Sequence, residues 1–403
     1  MVLTLALSVV LAAASPSPVT GLWHARLIPV PGHDVLFDLQ VEKGSKGALS
    51  AVLRNEDQTI PFSSAEWDGK TLTLTLAHLD GSLVARKAGA GLEGAYSRTT
   101  AAGNVTIPFS ASRAAPPLPA LAKGSASLSG TWGVQIGGPG EVEKATAILK
   151  QEGARLTGTM RTLTGDYGRL HGTWSGQNLL LTVFDGVHVY RFTGERLADG
   201  TLAGEFRSRA NPPVSWNARR LSKEEADSYL PSGFTIARPK DPAVPYRFRF
   251  EDADGKTVSS EDPRFSGKPM LVVFMGTWCP NCNEEAPVLK DLHQRYAGKG
   301  LEVVSLAFEY TEDVERNRRQ VKRFVERYGI PYPVLIAGTT GSAPTSASMT
   351  QLDGWQGYPT TLFLDRNHRV VKIHSGFDGP STGEHYERLK KEMVEAVEVL
   401  LKG

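Results

Sequence analysis

Cysteine is almost absent from this chain: 403 residues carry two, Cys279 and Cys282. With no second pair, a fold stapled by several disulfides is excluded, and the two thiols cannot brace distant parts of the chain. Net charge is nearly absent too, +2 formally from 45 Lys and Arg against 43 Asp and Glu. That removes the electrostatic basis for binding nucleic acid or an anionic membrane. Long apolar runs are confined to the N-terminus, where Val2 to Ala14 leads into Ser15-Pro16-Ser17-Pro18. This stretch reads as the apolar core and cleavage zone of an export signal, residues 1–15, although no Lys or Arg precedes it. It is shorter than the ~20 residues of a membrane-spanning helix. No cysteine follows it to carry a lipid. The expected location is the periplasm or cell envelope, without a stable membrane span.

Helical periodicity is missing from residues 16–113. Leu72-Thr73-Leu74-Thr75-Leu76 alternates apolar and polar, as a half-buried strand does, and Val35 to Val41 is similar. Asp68-Gly69 and Asp80-Gly81 supply tight turns between such runs. Residues 125–221 repeat the plan. Gly21-Leu22-Trp23 returns as Gly130-Thr131-Trp132, and Asp68 to Leu72 as Ser175 to Leu179. Leu92 to Tyr96 returns as Leu202 to Phe206, and Pro108 to Arg113 as Val214 to Arg219. These pairs predict two tandem all-β domains, each a small barrel or sandwich, with Trp23 and Trp132 plugging equivalent ends. Ala114-Ala115-Pro116-Pro117-Leu118-Pro119 is a stiff spacer between them. Residues 222–245 read as a linker rich in Pro and charge with little to bury. Within it Ser222 and Glu225 have capping-box spacing for a brief helix.

From 246 to 403 the texture becomes α/β. Met270 to Met275 is a continuous apolar run, as in a strand buried on both faces. A helix is expected from Pro280 to about Tyr296, another from Asp313 to Tyr328 with Val314, Val321, Phe324, Val325 and Tyr328 inward, and a last one from Glu384 to Lys402. The basic residues of the second, Arg316 among them, read as a solvated face.

The chemistry lies where the first of these helices begins. Cys279 sits at its N-terminus, where unpaired N–H groups and the macrodipole favour an anion. A thiolate is stabilised there, and the thiolate is the nucleophile. Pro280 suits the first helical position. Cys282, one turn inward and shielded, can resolve a mixed disulfide on Cys279, and Trp278 should flank an exposed sulfur. A zinc half-site would need two further ligands, and neither another Cys nor a nearby His pair exists. Gly89 to Gly94 spells G-x-G-x-x-G but lies within the β repeat with no helix after it, so a dinucleotide role is not supported. His374 and His385 read as structural or rim residues. Gly338 to Gln351 reads as a polar insertion, either a partner-selecting element or a plain loop.

Phe274-Met275-Gly276-Thr277-Trp278-Cys279-Pro280-Asn281-Cys282, then Glu285-Ala286-Pro287 and Tyr358-Pro359-Thr360-Thr361-Leu362-Phe363-Leu364-Asp365, resemble the TlpA/ResA branch of the thioredoxin-like family. The resemblance covers about 246–403 and implies an α/β thioredoxin-like domain acting as a protein thiol–disulfide oxidoreductase. It implies that Pro359 is cis and faces the dithiol, and that Tyr358 offers backbone groups to an extended client. It maps the family's buried acid onto Glu285, one turn after Cys282, where a desolvated carboxyl could pass protons; Glu284 is the expected solvated neighbour. Trp278, Pro280, Asn281 and Tyr358 would contact the client. Thioredoxins proper carry an Asp in the preceding strand, where this chain has Val273. No cofactor is implied beyond the Cys279–Cys282 disulfide itself. The implied partners are disulfide-bearing client proteins, such as cytochrome c maturation clients, and an upstream electron donor. Net oxidase or isomerase action, thiol peroxidase action, and an envelope binding protein whose β domains capture a ligand are the competing expectations.

Overall fold

The computed structural model describes residues 18–138, 142–343 and 346–403; the export signal expected over residues 1–15 lies outside them. The first β domain comprises β1 (Gly21–Leu27), β2 (Val35–Lys43), β3 (Leu49–Asn55), β4 (Gln58–Pro61), β5 (Ser64–Trp67), β6 (Thr71–Leu76), β7 (Gly81–Ala88), β8 (Gly91–Thr100) and β9 (Gly103–Ser112). Its hydrogen-bonded order is β2-β1-β9-β8-β7-β6-β5-β3-β4, and β2 also pairs with β3, so the sheet returns on itself. In β6 every leucine is buried and every threonine half-buried, the alternation a barrel wall imposes. Side chains fill the interior: Trp23, Phe37, Leu53 and Tyr96 are all at most 2% exposed.

The second β domain is a closed eight-stranded barrel in sequence order: β10 (Gly130–Ile136), β11 (Glu143–Glu152), β12 (Arg155–Arg161), β13 (Leu170–Trp174), β14 (Asn178–Phe184), β15 (Val189–Arg196), β16 (Leu202–Ser208) and β17 (Val214–Arg220). The two copies share a latch. Trp23 Nε1 donates to the Val19 carbonyl at 2.8 Å, and Trp132 Nε1 to that of Leu128 at 2.9 Å. The Arg113 guanidinium lies 3.5 Å from the Trp23 ring centroid and donates to the Thr20 and Leu22 carbonyls. Arg220 lies 4.7 Å from that of Trp132 and donates to the Ser127 and Ser129 carbonyls. Arg113 therefore corresponds to Arg220, one residue beyond the match expected from sequence. Side-chain faces alternate with period two, and only this register puts Phe109 and Trp216 inside together.

The barrels are docked through residues 184–186 of the second. Phe184, at the end of β14, enters the first barrel's core, edge-on to Phe37 and Tyr96 with centroids 4.9 and 4.8 Å away. Tyr96 Oη donates to the Gly186 carbonyl at 2.6 Å, and Asn55 Nδ2 to that of Phe184 at 2.7 Å. Gly186 has φ +90, and a Cβ there would run into Leu76 and Leu79.

The segment after β17 begins with helix α1 (Lys223–Ser228), closed by the expected Ser222/Glu225 capping box. Beyond it the expectation of little to bury fails. Leu230 and Ala237 are buried, Phe234 packs edge-on against His374 with centroids 4.5 Å apart, and β18 (Arg238–Pro239) pairs with β24 (Leu352–Asp353). These are scattered single apolar residues, too few to form a periodic signal.

The third domain contains β19 (Arg249–Asp252), β20 (Thr257–Ser259), β21 (Met270–Met275), α2 (Pro280–Tyr296), β22 (Glu302–Glu309), α3 (Val314–Tyr328), β23 (Val334–Thr339), β24, β25 (Thr360–Leu364), β26 (Val370–Ser375) and α4 (Glu384–Lys402). Its seven-stranded sheet runs β20-β19-β23-β22-β21-β25-β26. β22 is parallel to β21 and β23, and β25 is antiparallel to β21. Leu271, Val273 and Met275 of β21 pack with the α-helices, while Met270, Val272 and Phe274 pack with Tyr246, Phe265 and Met349 on the opposite face. Thus β21 is buried on both sides, as its unbroken apolar run requires. Near the end of the stretch 338–351, Met349 is buried and the Ser348 carbonyl accepts from Tyr246 Oη at 2.9 Å. Among the described residues no helix is long and apolar enough to cross a membrane.

Two expectations for α3 are corrected. Val314, the first residue of α3, is 51% exposed. Only part of the basic face is solvated: Arg319 and Lys322 are exposed, but Arg316 Nε meets Asp80 of the first barrel at 2.9 Å, and Arg323 and Gln320 donate to the carbonyls of Ala77 and His78. A second domain supplies the acceptors, which helix periodicity cannot show.

Candidate active site

β21 ends at Met275 and the chain turns through Gly276-Thr277-Trp278 into α2. Gly276 is required because a Cβ would strike the Trp278 ring. Cys279 is the N-cap and Pro280 the first helical residue. Cys279 and Cys282 form a disulfide with Cα atoms 5.2 Å apart, and the Cys282 N–H points at Cys279 Sγ, 3.2 Å away.

The flanking backbone is held from several sides. Asn283 Nδ2 donates to the carbonyls of Cys279 (2.7 Å) and Thr277 (2.9 Å), and Tyr328 Oη donates to Asn283 Oδ1 at 2.9 Å. The buried Glu309 carboxylate, at the end of β22, accepts from Thr277 N–H at 3.0 Å and Thr277 Oγ1 at 2.9 Å. Burial raises the Glu309 pKa; the Thr277 hydrogen bonds and then the Arg316 charge oppose the shift. Trp278 stacks on Tyr310 with centroids 4.4 Å apart, lies edge-on to Tyr358, and donates from Nε1 to the Phe308 carbonyl at 2.9 Å. Asn281 Nδ2 donates to the Phe377 carbonyl at 3.1 Å. The Tyr358–Pro359 peptide is cis.

Glu285 is 1% exposed. Thr361 Oγ1, on β25, donates to its Oε1 at 2.8 Å, and its Oε2 has no hydrogen-bond partner among the described residues. Burial raises its pKa to about 8, with the Thr361 hydrogen bond opposing. The carboxyl is therefore mainly neutral at pH 7. Glu284, expected to be solvated, is half-buried and lines a cavity of about 350 Å³ with Asp166, Gln58, His78, Pro280 and Asn281. Desolvation, then the charges of Asp166 and Asp185, drive its pKa well above the ordinary carboxylate range. The α2 face it occupies is covered by both barrels.

The structure thus places Pro280, Asn281, Cys282 and Glu285 on α2 behind Cys279, with Trp278 just before it and Tyr358 against the Trp278 ring; for Pro359 it gives the cis peptide. One expectation fails. The Cys279 sulfur is not exposed; the residue is 4% exposed and Cys282 3%. Sequence reasoning also missed Asn283 and Glu309. Asn283 lies four residues after Cys279, on its helical face, and Glu309 is the first charge after the apolar strand Leu301 to Phe308. Both signals were present, but neither says which backbone the side chain will reach.

A Redoxin family profile matches residues 239–389. The thiol-disulfide oxidoreductase ResA of Halalkalibacterium halodurans is 28% identical over 142 residues, 35% of this chain and 71% of that protein. The thioredoxin-like protein YneN of Bacillus subtilis is 31% identical over 129 residues, 32% of this chain and 68% of that protein. A solved thiol:disulfide interchange protein from Chlorobium tepidum TLS is 27% identical, covering 41% of this chain and 97% of its own, with a TM-score of 0.31.

Proposed function

Since this chain belongs, through its C-terminal domain, to the thioredoxin-like thiol–disulfide oxidoreductases, we propose that it is an exported member of that group that reduces disulfides in client proteins of the periplasm or cell envelope. The observation that carries this reading is the placement of the chain's only two thiols, joined across the first turn of α2, with a buried neutral acid one turn further on.

In the reduced protein the Cys279 thiolate, favoured by the α2 N-terminus, attacks one sulfur of a client disulfide. The client S–S bond breaks, a mixed disulfide forms, and the first client sulfur leaves and takes a proton. Cys282 then loses its proton and attacks Cys279 Sγ. The mixed disulfide breaks, the second client thiol is released, and Cys279–Cys282 closes; two electrons have passed to the client. Glu285 exchanges protons with Cys282 in this second step, directly or through water. Trp278, Pro280, Asn281 and Tyr358 form the client-contacting rim, and Pro359 opposes the dithiol. An upstream donor must return two electrons per cycle. Cytochrome c maturation clients are the first class to examine.

The test is reduction of a disulfide-bonded protein by the full chain, with dithiothreitol as electron source. Cys279→Ser should abolish turnover, and persistence of activity refutes the mechanism. Cys282→Ala should accumulate mixed disulfides that identify clients. A potential near about −120 mV, the strongly oxidising range, would overturn the reductant direction.

A further inference from the structure

Thiol–disulfide exchange needs an incoming sulfur to reach Cys279 or Cys282. Both residues are buried in this arrangement, at 4% and 3% exposure. The segment between β12 and β13 of the second barrel lies against three stretches that flank the disulfide. Gly165 abuts Asn281, one of the two residues between the cysteines, and the Phe377 carbonyl. Thr164 packs on Gly357, two residues before Pro359. The Leu163 carbonyl and Thr164 backbone press on Gly376. Phe377 shares its packing cluster with both cysteines.

The fit is close enough to need glycine on both sides. Gly165 has φ +139, and a Cβ there would run into the Asn281 side chain; Gly376 has φ +77, and a Cβ there would run into Leu163 and Thr164. Each surface thus uses glycine to let the other approach. The segment is also preformed: Thr162 N–H donates to the Gly165 carbonyl at 2.7 Å, and Asp166 Oδ1 accepts from Gly168 N–H at 2.8 Å. Two fastenings hold it to the third domain. Arg161 Nε meets Asp378 Oδ1 at 2.7 Å with both side chains largely buried, and Gly379 N–H donates to Asp166 Oδ2 at 2.6 Å. A charged pair and a charge-assisted hydrogen bond suit an interface that opens. The segment contains no cysteine, so the dithiol cannot react with it.

We propose that residues 162–168 form an intramolecular cap that occupies the client groove, and that the second barrel must move away before a folded protein can exchange thiols with Cys279. The proposal rests on the exchange reading above only for the nature of what is excluded. The cap is not part of the exchange chemistry; it decides when the dithiol is available.

The test uses the full chain, reduced with dithiothreitol, desalted, and labelled with N-ethylmaleimide or with a polymer-linked maleimide. A cap closed for nine-tenths of the time or more slows the bulky reagent by about tenfold or more relative to the unfolded chain. Arg161→Asp and Asp378→Arg should each speed bulky labelling toward the unfolded rate. The double variant Arg161→Asp/Asp378→Arg restores the pair and should restore protection, which also shows that the single variants had not merely misfolded. Wild-type protein labelled by the bulky reagent as fast as the unfolded chain overturns the cap. So do folded single variants, verified by circular dichroism, that stay protected, or a folded double variant that stays open. Labelling reads access alone, so protection without any client turnover sinks the exchange reading and leaves the cap standing, while turnover without protection does the reverse.

Discussion

The two barrels share a strand plan but put the same stretch of it to different use. Eight residues separate β3 from β5 in the first barrel, 56–63, and eight separate β12 from β13 in the second, 162–169. In the first they fold back as β4, which pairs with β3 and adds a ninth strand. In the second they make no strand; they carry Gly165 to Asn281, between the two cysteines, and Asp166 to Gly379. The first barrel reaches the third domain mainly elsewhere, through the turn 77–80 on α3. Its β4 contributes only a long contact, Gln58 Nε2 to Glu284 Oε1 at 3.4 Å. Duplication therefore preserved the walls and cores while the connections diverged. That is where a duplicated β domain can change what it touches without losing its packing.

Four measurements bear on this contrast. The largest effects should come from the plugs. Trp23→Ala or Trp132→Ala should each cost about 3–5 kcal/mol in denaturant unfolding, but only Trp132→Ala should also expose Cys279 to bulky thiol reagents. Equal exposure in both would erase the distinction between the barrels. Asp80→Ala is next. It leaves the largely buried Arg316 guanidinium without its partner at 2.9 Å and should lower stability by about 2–3 kcal/mol. Labelling of the reduced dithiol should not change, since this fastening belongs to the first barrel; faster labelling would show that both barrels guard the site.

Glu285→Gln probes the domain both barrels serve. Burial holds the Glu285 pKa at about 8 against an ordinary 4.5, so the folded chain keeps a proton that the unfolded chain has released. Its stabilising protonated state is fully effective below the unfolded value and loses ground as pH rises through 4.5 toward 8. The slope is at most about 1.4 kcal/mol per pH unit. Glu285→Gln should flatten that slope in melts taken across this range and remove any inflection near pH 8 from the rate of client reduction. An unchanged pH profile would assign the proton transfer elsewhere. The smallest effects should follow Arg113→Gln and Arg220→Gln. Each loses a cation–π contact and two hydrogen bonds to backbone carbonyls, worth about 1 kcal/mol. The two costs should match in thermal unfolding; unequal costs would mean the latches have diverged as the connections did.

Much of this was legible from residue order alone. Alternation in Leu72 to Leu76, the recurrence of Gly21-Leu22-Trp23 at Gly130, and the apolar run Met270 to Met275 announce their strands because each pattern reports burial within one element. The helix boundaries at Pro280, Tyr296, Glu384 and Lys402 match, since caps and amphipathic stripes are local. What stayed hidden was between elements. Arg316 reads as solvated on its own helix, and Asp80 lies 236 residues away. Glu284 and Glu285 are adjacent and both acidic, yet one faces a junction of three domains and the other the sheet.

The sequence by itself determined the chemistry, because two thiols at the start of a helix with an acid one turn on follow from spacing within a single element. It also determined that two copies of a β unit precede that site. Only the tertiary structure decided that the dithiol is buried, and which copy lies against the residues around it. Cover depends on how a loop between β12 and β13 meets glycines more than a hundred residues away, and no local periodicity encodes the approach of two such surfaces.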